Sequence, residues 1–151
     1  MKNKDSIESV AIRYGVITFL GLVAYFMIMK WVGLFEIHEL RGLNFFILLA
    51  GIGYALKHYK EKNKDDFVYF HGLSLGLLTS LVAIIPFGVF IFFYLVIDVS
   101  FMQNLIENEP FGRYFNPFIL SFLVAFEGIF SGALMSFGFM QYMRKSHMVA
   151  S

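Results

Sequence analysis

An acidic residue lies deep inside an otherwise uncharged stretch near the end of the chain. Glu127 is the single charged residue between Tyr114 and Met143. It follows Pro117, where a helix is predicted to begin, by about ten residues, or roughly 15 Å along a helix axis. An ionised carboxyl group at that depth in a bilayer is costly unless it is paired. We therefore expect Glu127 to face other helices and to be largely protonated. It would serve as a structural hydrogen-bond donor, as a proton or cation relay, or as a substrate contact.

Several groups are candidate partners for this carboxyl group. Pro86 interrupts the preceding apolar run and frees the backbone carbonyl four residues earlier. That carbonyl, Thr79, Ser80 and Ser131 could each bond to Glu127. Pro86 predicts a helix kink or, alternatively, a hinge or unwound binding point of the kind that lines transporter sites. A relay would need a second ionisable group at this depth, and the sequence offers none.

Small residues recur at spacings of three or four in the last two apolar runs. They are Gly72, Gly76 and Ser80 in the third run and Gly128, Gly132 and Ser136 in the fourth. Such patterns let two helix backbones approach closely. Because the two sets fall at similar depth, we expect them to pack against each other, with a homodimer face as the alternative.

Other kinds of chemistry find little support. The chain has no cysteine and its four histidines are scattered, so we predict no metal site and no cofactor. No phosphate-binding loop, nucleophile elbow or zinc-protease motif is present in the sequence. The net charge of +1 gives no case for nucleic-acid binding. We therefore expect a protein without enzymatic activity.

The elements that position these residues are predicted membrane spans. Of 151 residues, 58% are hydrophobic and 15% are charged, whereas soluble domains have about 45–50% and about 25%. Four runs predict transmembrane helices at about 12–34, 40–59, 68–97 and 116–143 in a single domain, 1–151. The second run is short without its flanking charges, and a re-entrant or interfacial segment is the alternative. The first run is too long for the apolar core of a signal peptide.

The distribution of lysine and arginine predicts the orientation. Nine of the twelve basic residues fall in the head, in the loop after the second run and in the tail. These segments share one side of the membrane if there are four spans, and basic residues favour the cytoplasmic side. We therefore predict an all-α integral membrane protein, a four-helix bundle in the inner membrane with both termini cytoplasmic.

The longest external segment carries two local signals. Four apolar residues cluster at helical spacing there: Phe101, Met102, Leu105 and Ile106. They predict a short amphipathic helix lying in the membrane interface before the last span. Asn116 followed by Pro117 is typical of a helix N-cap and first helical position, so the last span should begin at this point.

Four short stretches carry a resemblance to a known family. They are 13–17 (RYGVI), 54–60 (YALKHYK), 70–76 (FHGLSLG) and 94–98 (YLVID). The layout resembles the bacterial membrane family catalogued as domain of unknown function 4199. Its members look like small four-helix inner-membrane proteins with a charged loop between helices two and three. The resemblance implies that fold but no activity, so it assigns no catalytic residue.

These patterns together favour an accessory or structural membrane protein. We expect contact with the lipid bilayer and with either further copies of the chain or another membrane protein. The alternative is a small transporter or proton-coupled permeation element that uses Glu127 near the Pro86 break. A membrane-embedded enzyme would need a polar cluster that the sequence does not contain.

Overall fold

The computed structural model describes residues 6–33, 42–63, 68–108 and 110–149, with side chains up to Met143. Within these residues the protein is all helical, which confirms the predicted all-α class. The elements are α1 (Ile7–Val32), α2 (Leu43–Lys62), α3 (Tyr69–Ile97), α4 (Val99–Asn108), a 3-10 turn (Gly112–Tyr114) and α5 (Pro117–Val149). The lysines of the head and Lys64, which contribute to the predicted orientation, lie outside the described residues.

Local signals set both ends of α1. The Ser6 side chain accepts a hydrogen bond from the Ser9 backbone nitrogen, so the helix begins at Ile7, about five residues before the predicted span. The helix ends at Val32 and is capped by Gly33, whose φ of 77° lies in the left-handed region that favours glycine.

The start of α5 follows the predicted pattern. The Asn116 side-chain oxygen accepts a hydrogen bond from the Ile119 backbone nitrogen at 2.7 Å. The helix begins at Pro117. Proline has no backbone N–H, but the first residue of a helix has no helical acceptor for that group, so no hydrogen bond is lost. The prediction of an N-cap followed by proline is confirmed.

In the described part of the chain, three helices are long and apolar enough to cross a membrane: α1, α3 and residues Pro117–Met143 of α5. Helix α2 has 20 residues, but Lys57, His58 and Lys60 near its end make it more polar. Helices that are apolar on every side are typical of membrane spans, because lipid rather than water surrounds them. The fold is therefore that of a multi-pass helical membrane protein.

Helix α3 is the centre of the structure. It makes extensive contacts with α1 and α5, and α2 contacts all three of these helices. Four leucine and isoleucine side chains are almost fully buried where the helices meet: Leu22, Ile52, Leu56 and Leu75. Of the three candidate spans, α5 is the least buried. A large part of its surface therefore remains available for lipid or for another protein.

Helix α3 runs without interruption through Pro86. The interpretation of this position as an unwound helix break is therefore wrong. Proline is tolerated inside membrane helices because neighbouring helices and local adjustments compensate for the lost backbone bond. The next two residues, Phe87 and Gly88, are buried in the helix packing, which holds this part of α3 in place.

The short helix α4 covers the predicted amphipathic segment. Met102 is buried, and Phe101, Leu105 and Ile106 pack against the core. The following 3-10 turn folds back so closely that the Ile106 carbonyl occupies the position where a side chain of Gly112 would lie. This close approach requires glycine, and it holds the turn against the end of α4.

Candidate functional site

Glu127 lies nearly level with Pro86, as the sequence predicts, but on the outward face of α5. The contact between α3 and α5 sets this relative level, because a Cβ placed at Gly128 would lie 2.6 Å from the Ile84 Cδ1. Pro86 is two residues from Ile84 and is therefore nearly level with Glu127. The Glu127 side chain is nevertheless exposed.

The rotation of α5 explains why the carboxyl group points away from α3. Each residue turns a helix by about 100°, so Glu127 is about 100° from Gly128 and about 160° from Ala125. Both of those small residues contact α3. Among the described residues, no hydrogen bond or ion pair reaches Glu127. The expectation that Glu127 faces the helix bundle is wrong, because small residues occupy the contact with α3.

The other candidate residues are not gathered around Glu127. The Thr79 hydroxyl donates to the Leu75 carbonyl of its own helix at 2.7 Å. The Thr79 carbonyl lies toward α1, 3.1 Å from a Cβ placed at Gly15. Ser131 lies one turn from Glu127 along α5 and is half-buried. The four predicted site residues are therefore not brought together within this chain.

The buried serine and threonine hydroxyl groups are satisfied inside their own helices. Each donates to a carbonyl three or four residues earlier at 2.7–2.9 Å: Thr18, Thr79, Ser80, Ser121 and Ser136. A hydroxyl group has one proton to donate, so these local bonds leave no donor for a neighbouring helix. The helices are held together here by van der Waals contact among apolar and small residues.

Glycines let α3 and α5 approach closely. A Cβ placed at Gly76 would lie 2.6 Å from the Ser136 Cβ, and one at Gly132 would lie 2.6 Å from the Ser80 Oγ. Gly72, one turn before Gly76, is also buried. The small residues of α3 and α5 therefore meet inside one chain, so this surface is not free to form a homodimer.

Two further glycine contacts involve α1 and were not predicted. A Cβ placed at Gly15 would lie 2.6 Å from the Val82 Cβ on α3, and Gly51 on α2 packs against Thr18. Neither glycine was recognised as part of a small-residue repeat. Each lies four residues from a buried alanine, Ala11 or Ala55, a spacing of small residues that could have identified these contacts.

A charged contact joins the C-terminal ends of α1 and α3. Lys30 forms an ion pair with Asp98. The Lys30 Nζ lies 4.4 Å from the centre of the Tyr94 ring and 5.8 Å from that of Phe101, within the range of about 6 Å for a cation–π contact. Asp98 also accepts from the Tyr94 hydroxyl at 3.2 Å and from the Phe101 backbone nitrogen at 3.0 Å. Two aromatic rings thus adjoin the ion pair.

Aromatic packing continues behind this pair. Phe26 on α1 meets Phe90, Tyr94 and Phe101 edge to face, with ring centres 5.8, 5.0 and 6.1 Å apart. Edge-to-face pairs place the positive edge of one ring against the negative face of the other. The cluster therefore ties α1, α3 and α4 together at one end of the protein.

The electrostatics of the cluster favour a structural contact. The hydrogen bond from Lys30 holds the pKa of the Asp98 carboxyl below its ordinary value, and the bond from the Phe101 backbone nitrogen lowers it further. Asp98 follows the last residue of α3 and so lies outside the candidate spans. Because the anion and the cation neutralise each other, neither is a free acid or base for chemistry.

Lys30 and Asp98 were missed as a pair, although a signal for them exists in the sequence. Lys30 lies near the end of the first apolar run, and Asp98 lies directly after the third. In a chain with four spans, these two ends fall on the same side of the membrane. Charged residues near membrane spans tend to pair with each other, so this placement could have identified the contact.

The fold and the contacts define the class: a multi-pass helical membrane protein whose helices pack through apolar and small residues. The chain belongs to the family described as Protein of unknown function (DUF4199), which matches residues 13–145. The family resemblance of the sequence is confirmed. No curated protein and no solved structure gives a significant match. Among the described residues, no group of three or more potential metal-binding side chains occurs.

Proposed function

We propose that this protein is a non-enzymatic accessory component of the bacterial inner membrane, with four spans and both termini in the cytoplasm. The observation that carries the proposal is the outward direction of Glu127 on α5. An acid at mid-depth has to be shielded from lipid, and here it lies on a surface that another membrane-embedded helix can cover. An internal transport path is less favoured, since the same carboxyl group is turned away from α3 and Pro86.

The packing supports a fourth span. Lys30 at the end of α1 contacts Asp98 at the end of α3, so the C-terminal ends of these two helices lie together. The chain must then return along the protein between them, and α2 contacts both helices. The 20 residues of α2 correspond to about 30 Å, the thickness of a bilayer core.

The direction of α5 supports a shared side for both termini. Gly76 near the start of α3 packs against Ser136 far along α5, while Ile84 packs against Gly128, so the two helices are antiparallel. The start of α1 and the end of α5 then lie at one end of the protein. Arg13 and the lysines that end α2 belong to that end, and positive charge favours the cytoplasmic side.

The polar groups support a structural role. A catalytic nucleophile needs an adjacent base within hydrogen-bond reach. The buried hydroxyls of Thr79 and Ser136 instead donate to carbonyls of their own helices. Lys30 and Asp98 are engaged with each other, and Asp98 also accepts the first backbone bond of α4. Each of these groups is already occupied in holding the fold.

Affinity purification from native membranes tests the accessory role. A tagged chain should retain a different membrane protein at a fixed ratio through mild-detergent washes. The control is Gly132→Leu, which disrupts the α3–α5 contact and should lose that protein. The proposal fails if no other protein is retained and if purified protein in liposomes conducts protons in a way that Glu127→Gln abolishes.

A further inference from the structure

The outward surface of α5 carries a line of four polar or small residues and one leucine that the chain itself leaves largely uncovered. They recur at alternating spacings of four and three, and we name them the polar stripe: Glu127, Ser131, Leu134, Gly138 and Gln141. Ser131 is half-buried and the other four are exposed. At about 100° per residue, all five fall within a sector of about 80° on the helix.

The remainder of that surface suits lipid. Its exposed side chains are mainly large and apolar, and five of them are phenylalanines: Phe118, Phe122, Phe126, Phe130 and Phe137. Between Pro117 and Met143, each serine, glutamate or glutamine is either buried or part of the polar stripe. Helix contacts in membranes are enriched in small and polar residues, whereas a lipid-facing surface gains nothing from them. The stripe is therefore a helix-packing surface.

Gly138 marks the place where a second backbone can approach. Among the described residues, no atom lies within 4 Å of a Cβ placed at Gly138, whereas α3 already occupies that space at Gly128 and Gly132. The alternation of four and three residues is the spacing of the seam in a left-handed helix pair. The stripe thus combines a close-contact position with a hydrogen-bonding position at Glu127.

We infer that the polar stripe binds the same stripe of a second copy of this chain, α5 against α5. Two copies inserted in the same direction are related by an axis along the membrane normal, so the two Glu127 side chains meet at one depth. A protonated carboxyl group, a serine hydroxyl and a glutamine amide each carry both a donor and an acceptor. Each can therefore pair with its own counterpart. A partner that brought only a cation to Glu127 would leave Ser131 and Gln141 unused.

This inference rests on the proposed function in one respect: both require another membrane-embedded helix to cover the outward surface of α5. The two can fail separately. A dimer is detected by contact between copies of the chain, and the accessory role is detected by a different protein that is retained on purification. A dimer without a retained protein would support the α5–α5 contact and contradict the accessory role.

Cross-linking in native membranes tests the inference. The chain has no cysteine, so oxidation of Leu134→Cys should give a single disulfide-linked species of twice the chain mass. Phe122→Cys is the matched control, because its side chain is 60% exposed against 58% for Leu134 but lies about 120° around the helix. It should remain monomeric. Equal cross-linking at both positions, or none at Leu134→Cys and Gly138→Cys, overturns the inference.

Two substitutions at Glu127 in the Leu134→Cys background test the hydrogen bond itself. Glu127→Gln keeps a donor and an acceptor, so the dimer yield should be retained. Glu127→Leu should lower the yield about threefold or more, the scale of an interhelical hydrogen bond in a membrane. Equal loss in both variants, or cross-linking of Leu134→Cys to a different protein, would mean that a partner carrying a cation covers the stripe. Circular dichroism checks that the helix content of the variants is unchanged.

Discussion

Asp98 accepts a hydrogen bond from Lys30, 68 positions earlier in the chain, through one carboxylate oxygen. Its other oxygen accepts from the Phe101 backbone nitrogen. Asp98 directly follows the last residue of α3, and its side chain both caps α4 and binds Lys30 at the end of α1. Hydrogen bonds between ionised groups are stronger than neutral ones. The position of α4 therefore depends on a residue of α1 as well as on its own sequence.

Substitution of Asp98 should separate its two roles. Asp98→Asn removes the ion pair but keeps an oxygen that can cap α4, so the melting temperature in detergent should fall modestly. Asp98→Ala removes both contacts and should lower the melting temperature further. Gln103→Ala on the exposed side of α4 is the control and should change little. Equal melting temperatures for the two Asp98 variants would contradict the capping role.

The same ion pair predicts an acid-sensitive part of the stability. The folded-state pKa of Asp98 is below its unfolded value of about 3.9 because of the Lys30 hydrogen bond. The stabilising contribution is therefore fully present above that value and is lost as the pH falls through the folded-state pKa. Lys30→Gln removes the largest cause of the shift, so its melting temperature should fall less between about pH 5 and about pH 3.

Melting curves of the wild type and Lys30→Gln across this range provide the measurement. The other carboxyl groups are common to both proteins, so the difference between the curves reports the ion pair. Parallel curves would mean that Lys30 does not set the pKa of Asp98.

Two glycines on α5 should respond differently to alanine. A Cβ at Gly132 would lie 2.6 Å from the Ser80 Oγ, so Gly132→Ala should force α3 and α5 apart and cost about 1–3 kcal/mol. Gly138 faces open space among the described residues, so Gly138→Ala should stabilise the monomer by up to about 1 kcal/mol through helix propensity. Unfolding of the monomer in detergent, followed by helix content, measures both. Similar losses at the two positions would contradict the assigned faces.

Labelling of single cysteines tests the four-span arrangement. Trp31 at the end of α1 and Lys62 at the end of α2 are both exposed. If α2 crosses the membrane, the two ends lie on opposite sides. A membrane-impermeant maleimide added to spheroplasts should label Trp31→Cys at once and Lys62→Cys only after permeabilisation. Labelling of both before permeabilisation would rule out α2 as a span, and a reporter after Ser151 that reads as external would rule out a cytoplasmic tail.

Several features of the fold and of the site could be predicted because they depend on local or fixed geometry. The apolar runs predicted the long helices, and Asn116 with Pro117 predicted the start of α5. The matching level of Glu127 and Pro86 in neighbouring helices followed from the rise of 1.5 Å per residue. None of these required knowledge of which helices are neighbours.

The sequence by itself determined the helices and the position of each residue along its helix, whereas the tertiary structure decided which side of each helix turns inward. In a soluble helix the inward face can be recognised because the opposite face is polar. A helix that is apolar on every side gives no such indication. Glu127 was expected to face the bundle but lies on the outer surface. Lys30 contacts Asp98, which is 68 residues later in the chain. The rotation of each helix about its axis is set by close contact between small residues on different helices, such as Gly132 and Ser80. Contact of this kind acts over a few ångströms and depends on residues far apart in the chain.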